Sequence, residues 1–333
     1  MRGVVDHIII LDGTMSTLEP GREGNCGLIY RLMTEGGRRP DRTVYYEPGL
    51  QWSGWRQLPA LAQGRGLNRQ ICRAYGWLAS HYRPGDRIYL IGYSRGAFAV
   101  RSLAGIIDRV GLLRREEATE RAVRQVYRHY RQDPEGAVAR VFAARFCHDA
   151  APIALVGVFD TVKALGLRLP LLWMLTDKRN AFHSSELGRS IQRGAQALAV
   201  HETRAVFQPV LWDVPPDRLD QVEQVWFRGA HGDIGGHIGA FQAARPLANL
   251  PLVWILDRAA AAGLRLPDGW PARYPCDPAA PMVGTWRGAG ALFLLRGRRI
   301  VGRDPSERVH PSAGGTVKDG SEPQGFSPAP GKG

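Results

Sequence analysis

The stretch Gly92-Tyr93-Ser94-Arg95-Gly96 sets a serine between two glycines directly after an apolar run, Ile88-Tyr89-Leu90-Ile91. Helical spacing resumes at once through Phe98, Leu103, Ala104, Ile107 and Val110. The pattern G-x-S-x-G in that setting predicts a strand, a sharp turn and a helix, with Ser94 exposed on the turn as a nucleophile. Glycines two residues to either side let strand and helix pass close together. Free N–H groups at the start of the helix would stabilise negative charge beside the serine. An ordinary tight turn is the plain alternative, since glycine and serine both favour turns.

A serine hydroxyl is a weak nucleophile until a base takes its proton and an acid orients that base. Of the nine histidines, His231 alone follows a late apolar run inside a glycine-rich turn, and it is the candidate base. His201 is the second choice; His81, His148, His183, His237 and His310 lack such a setting. Asp160 is the favoured acid, because a carboxylate at the end of a dry apolar run needs a strong partner to stay ionised. Glu202, after the strand preceding that of His231, and Asp233, two residues beyond it, are the alternative acids. Ser94, Asp160 and His231 follow the chain order expected of such a triad on a parallel sheet. Asp12, Gly13 and Thr14, continuing to Met15, close the first apolar run and form the candidate oxyanion loop; a simple turn capped by Asp12 or Thr14 is the alternative. Arg95, next to the nucleophile, is suited either to an anionic substrate group or to a salt bridge or cap on its own helix.

The elements that must position these residues alternate. Ile8-Ile9-Ile10-Leu11 is fully apolar, as expected of a strand covered on both faces. A short helix over 26–33, a strand over 43–46, a helix over 67–82 and the strand before Ser94 follow, an order that predicts a doubly wound, mostly parallel α/β sheet with helices on both faces. Residues 114–150 read as a helical insertion after the nucleophile helix, with stripes Ala118, Ala122, Val126, Tyr130 and then Val138, Val141, Phe142, Phe146. They are placed either as a lid or as helices covering the sheet. Strands are expected over 153–159, 195–200 and 224–227, and a helix over 247–263 with Gly263 as its stop. Trp52 and Trp55 lie in a loop over 51–57 that could wall a pocket, and 165–175 is an apolar loop suited to a greasy pocket, a membrane surface or simple core packing. Residues 1–297 therefore read as one catalytic domain, and 298–333, rich in Gly and Pro, as a disordered tail.

The 333 residues are 44% hydrophobic, enough for a sizeable core, and 44 Lys+Arg against 31 Asp+Glu give a formal charge of +13. That balance favours anionic partners such as a lipid surface, without naming one, and no motif marks specific nucleic-acid binding. The four cysteines lie far apart with no histidine at ligand spacing, so neither a metal site, another cofactor site nor a disulfide framework is expected. No stretch reads as a signal peptide or a membrane span. The chain is expected to be made as a soluble cytoplasmic protein, with export by a route needing no cleavable signal left open.

Taken together, Asp12-Gly13-Thr14, Tyr46-Glu47-Pro48-Gly49, the run from Gly85 to Ala97, Phe159-Asp160-Thr161-Val162, the run from Trp226 to Gly236 and Leu252-Val253-Trp254-Ile255 resemble the bacterial and fungal α/β-hydrolase family whose members include type VI secretion phospholipase effectors. The resemblance runs in the family's order from residue 8 to about 265. It implies Ser94 as nucleophile, His231 as base, an aspartate completing the triad, and hydrolysis of phospholipid acyl esters. The chain departs from the pattern at His201-Glu202, where the family tends to carry Asp-Glu before Arg. The alternatives are an esterase or thioesterase for a small soluble substrate, and a non-catalytic scaffold that binds an anionic membrane or a partner.

Overall fold

The computed structural model describes residues 3–49, 65–162, 187–286 and 295–314. The loop over 51–57, the apolar loop over 165–175, His183 and the tail beyond 314 lie outside the described residues. Strands β1 (Asp6–Leu11), β2 (Arg42–Glu47), β3 (Arg87–Tyr93), β4 (Ile153–Phe159), β5 (Gly194–Ala199), β6 (Val222–Phe227) and β7 (Glu307–Val309) form one sheet in the order β2-β1-β3-β4-β5-β6-β7, every described pair parallel.

Alternation along β1 shows how the sheet is covered. Ile9 and Leu11 point into one core with α2 (Arg65–His81) and α3 (Arg95–Arg109), whereas Ile8 and Ile10 point into the other with α1 (Asn25–Thr34), and all four are fully buried. A strand between two helical layers has no polar face, which is why the sequence shows unbroken apolar runs rather than alternation. Two further helices of the insertion, α4 (Glu120–Gln132) and α5 (Ala137–Phe146), lie outside α2 and α3. The short α6 (His231–Gly235) and α7 (Arg245–Ala261) share the second face with α1, and α7 ends as expected before Gly263, whose φ of +93° suits glycine.

Helix α4 of the insertion packs against α2 and α3. Thr119 caps α4, and Val123, Val126 and Tyr130 bury its apolar stripe, with Tyr130 near Gly105 late in α3. Gly105 lies 11 residues beyond Ser94, about 16 Å along the helix. In α5 the expected stripe holds for Phe142 but not for Val138 and Val141, which are exposed. The helix meets the core along too narrow a line to cover them.

The expectation of a disordered tail from 298 also fails for 298–314. Gln224, Val225 and Trp226 pair with Glu307, Arg308 and Val309, and Trp226 Nε1 donates to Glu307 Oε2 at 2.7 Å. Glu307 in turn accepts the N–H groups of Gly302, Arg303 and Asp304. A few directed bonds hold a stretch whose average composition resembles a linker.

Sheet order places the site. From β1 the chain crosses to β2 on one side and then returns to β3 on the other, so the carboxyl ends of β1 and β3 flank a topological switch point, where α/β sheets leave a crevice. Gly96 lets α3 begin against the end of β1: a Cβ there would stand well inside contact distance of the carbonyl oxygens of Leu11 and Asp12. A Cβ on Gly92 would lie 2.7 Å from Gly96 O. Both obstacles are backbone and cannot rotate away. Gly96→Ala is therefore expected to destabilise the fold by about 3 kcal/mol or more, read as a lowered thermal midpoint and reduced soluble yield; an unchanged midpoint would mean that the close crossing is unnecessary.

Candidate active site

Ser94 sits at the junction of β3 and α3 with φ +57° and ψ −120°, a conformation that costs a non-glycine residue about 1–3 kcal/mol. The turn is held by Ser94 N–H donating to Phe159 O at 3.0 Å and by Phe98 N–H donating to Ser94 O at 3.2 Å. The strain turns the hydroxyl out of the sheet toward His231, whose Nε2 lies 2.8 Å from Ser94 Oγ. His231 Nδ1 lies 2.5 Å from Asp160 Oδ2. The three residues come from the ends of β3, β4 and β6, and all are buried.

Asp160 has positive φ as well, +43°, and its Oδ1 accepts the Ala199 N–H at 3.1 Å. Its other partner is a residue that sequence reasoning missed. Arg299 donates through Nη1 to Asp160 Oδ1 at 2.5 Å and through Nη2 to Oδ2 at 2.9 Å. The signal was present only in part: a carboxylate at the end of an all-apolar strand demands a cation, but nothing in the local sequence points to residue 299 as its source.

The alternative acids are elsewhere. Glu202 Oε2 accepts the backbone N–H of His231 at 3.1 Å, not its ring, and both its oxygens are paired with Arg204. Asp233 accepts the N–H groups of Ala230 at 2.9 Å and Val283 at 2.7 Å, closing the turn that carries His231. His201, the second candidate base, accepts the Gly229 N–H at 3.2 Å. Phe207 stacks on the His231 ring at 4.6 Å between centroids, the Tyr93 ring lies tilted 4.9 Å from it, and Tyr93 Oη donates to His231 O at 3.1 Å. Neither aromatic residue stood out in the sequence as part of the site.

The loop after β1 lies against the elbow. Within the candidate oxyanion loop the Gly13 N–H donates to Asp12 Oδ1 at 2.7 Å, while Tyr46 Oη donates to Asp12 Oδ2 at 2.9 Å. Asp12 is thereby the brace of the loop. Arg95 donates to Thr14 Oγ1, tying the first residue of α3 to that loop.

Charge is distributed to suit a resting base. Burial lowers the His231 pKa below 6.5, an effect that the bonded Asp160 opposes without cancelling. Burial would raise the Asp160 carboxyl, but Arg299 and then His231 hold it far below the ordinary range. Arg204 similarly holds Glu202 down against its burial. The imidazole is neutral and its carboxylate ionised at neutral pH, the state in which Nε2 can accept a proton.

A cavity of about 500 Å³ opens along α3 from Phe98, one turn beyond Ser94, past Arg101 to Asp108, with Leu187 and Trp212 on its far wall. None of the three bonded residues lines it. Arg101 lies within it over the Trp212 ring at 4.6 Å, and burial lowers its pKa to about 9. Among the described residues no group of three or more His, Cys, Asp or Glu side chains is arranged to hold a metal ion, and no helix is long and apolar enough to cross a membrane.

Comparison with known proteins gives relatives of partial coverage. An uncharacterized protein of Saccharomyces cerevisiae is 31% identical over 198 residues, covering 52% of this chain and 29% of the yeast protein. Among solved structures, an uncharacterized protein from Pseudomonas aeruginosa aligns over 82% of this chain and 49% of its own at 15% identity, TM-score 0.48. The Tle1 effector bound to the VgrG spike of the type 6 secretion system aligns over 71% of this chain and 51% of its own at 17% identity, TM-score 0.40. The chain thus spans less than a third of the curated relative and about half of each solved one. Residues 6–258, from the first residue of β1 to near the end of α7, match the catalytic domain of the Tle1-like phospholipase effectors of type VI secretion, and the chain belongs to that family.

Proposed function

We propose that this chain is a serine hydrolase of phospholipid acyl esters in which Ser94, His231 and Asp160 form the catalytic triad. The observation that carries the reading is the continuous relay from Ser94 Oγ through His231 to Asp160, with heavy-atom distances of 2.8 and 2.5 Å. Family membership supports a lipid ester as the substrate class.

In this reading Ser94 Oγ attacks the ester carbonyl as His231 Nε2 takes its proton. Asp160 stabilises the imidazolium. The oxyanion is received by the Arg95 backbone N–H at the start of α3 and by the loop at Thr14, since the Gly13 N–H is already donated to Asp12. The imidazolium returns its proton to the leaving alcohol, leaving an acyl-serine. Water, deprotonated by the same imidazole, then releases the fatty acid. Arg95 acts from its place against Thr14 as a support of the oxyanion loop.

The test pairs fluorophosphonate labelling with fatty-acid release from vesicles of phosphatidylethanolamine and phosphatidylglycerol. Labelling together with release supports a phospholipase. Labelling without release moves the substrate to a small soluble ester, and folded protein that takes no label is a binding scaffold. The pH dependence is a second check. Only neutral His231 is a base, and its pKa is held below 6.5, so kcat/KM should be on its plateau at pH 7 and fall as pH drops through a value below 6.5. A midpoint of the acid limb above about 7 would contradict the burial argument.

A further inference from the structure

Arg299 lies beyond residue 258, where the family match ends, yet its side chain is 1% exposed and reaches the acid of the site. Besides both oxygens of Asp160, it donates to Ala199 O at 2.9 Å and to Phe207 O. The segment carrying it is bonded on each side: Ala205 N–H donates to Leu295 O at 2.9 Å and Gly297 N–H to Thr203 O at 2.7 Å, and β7 then joins the sheet. A buried guanidinium without a counter-charge would be costly, and its only charged partner among the described residues is Asp160.

On the reading that Ser94, His231 and Asp160 are the triad, we propose that Arg299 is a positioning residue for the reaction, delivered by the 295–309 segment to fix the Asp160 carboxylate and keep His231 a neutral base. Asp160 bears one negative charge and two cationic or potentially cationic neighbours, Arg299 and His231. Arg299 neutralises the carboxylate in the resting state and repels a proton on the imidazole. Its two-point grip also holds the carboxylate plane, so that Oδ2 stays aimed at Nδ1, and its bond to Phe207 O anchors the ring stacked on His231.

The other groups facing the pair do not duplicate this. Tyr93 and Ser94 approach from β3; Glu202 is paired with Arg204, and Asp12 lies beyond Tyr93 with His237 3.8 Å from its Oδ1. Removing Arg299 takes away a cation that disfavours protonation of His231, so the His231 pKa rises and the acid limb moves to higher pH.

The experiment measures the rate of fluorophosphonate labelling of Ser94 between about pH 5 and pH 9 in the full chain, for wild type, Arg299→Gln and Arg299→Lys, with folding checked by circular dichroism. Arg299→Gln is expected to move the acid limb up by about one unit and lower the plateau by roughly tenfold to a hundredfold. Arg299→Lys, which keeps the charge but not the planar grip, is expected to keep the wild-type limb while losing plateau rate. A merely structural role would reduce the labelled fraction without moving the limb. A folded Arg299→Gln with an unmoved limb overturns the inference while leaving the triad intact. If that variant does not fold, Arg299→Lys decides, and a wild-type plateau in it overturns the inference. Absence of labelling in folded wild type takes down the triad reading as well.

Discussion

Replacing Ser94 with alanine is expected to abolish fluorophosphonate labelling and to lower ester hydrolysis by about 10⁴-fold or more, and His231→Ala to do the same. The two losses should not add, because nucleophile and base act as one unit and removing either leaves only the oxyanion donors and substrate binding. Neither substitution should unfold the chain. Ser94 contributes its hydroxyl to one bond, with His231, and the turn is held by backbone groups that alanine retains. The measurement is labelling and turnover of each variant beside a thermal melt. A folded Ser94→Ala that still takes the label would place the nucleophile elsewhere and remove the reason for the strained φ of +57° at this position.

The sequence carries the site wherever chemistry coincides with a local pattern. Ser94 lies in a five-residue motif fixed by contacts of Gly92 and Gly96 that tolerate no Cβ, and Asp160 and His231 follow strands legible as apolar runs. The doubly wound, parallel character of the sheet was legible in the alternation of strand and helix patterns, whereas the order of its strands was not. What escaped has no local signature. Arg299 belongs to a stretch whose glycine and proline content resembles a linker, and its burial depends on partners 139 residues away at Asp160 and on pairing of β7 with β6. Phe207 becomes a wall of the site only once the 203–207 stretch is bonded to 295–297. The Gly13 N–H is taken by the neighbouring Asp12 side chain, a competition that short polar residues offer to any loop. Val138 and Val141 followed helical periodicity correctly, but a periodicity gives a face without saying how much of it a neighbour covers.

The identity of the acid separates two otherwise similar carboxylates. Asp160→Asn is expected to lower kcat/KM by about 10⁴-fold, whereas Glu202→Gln should cost about tenfold or less. The argument is about tautomers. With an amide at 160, the guanidinium of Arg299, which can only donate, takes the single amide oxygen. The NH₂ group then faces His231 Nδ1, which must accept, so Nε2 carries the proton and points it at Ser94. The base is lost although every atom keeps its place. In Glu202→Gln the amide oxygen can still accept the His231 backbone N–H, and the ring tautomer is untouched. Thermal midpoints will not discriminate, because each variant takes one partner from a buried ion pair, Asp160 with Arg299 or Glu202 with Arg204, and leaves an uncompensated cation. Rates normalised to folded protein will. A large loss in Glu202→Gln with near-normal turnover in Asp160→Asn would assign the acid to Glu202 and reduce the Asp160–Arg299 pair to a buried structural tie.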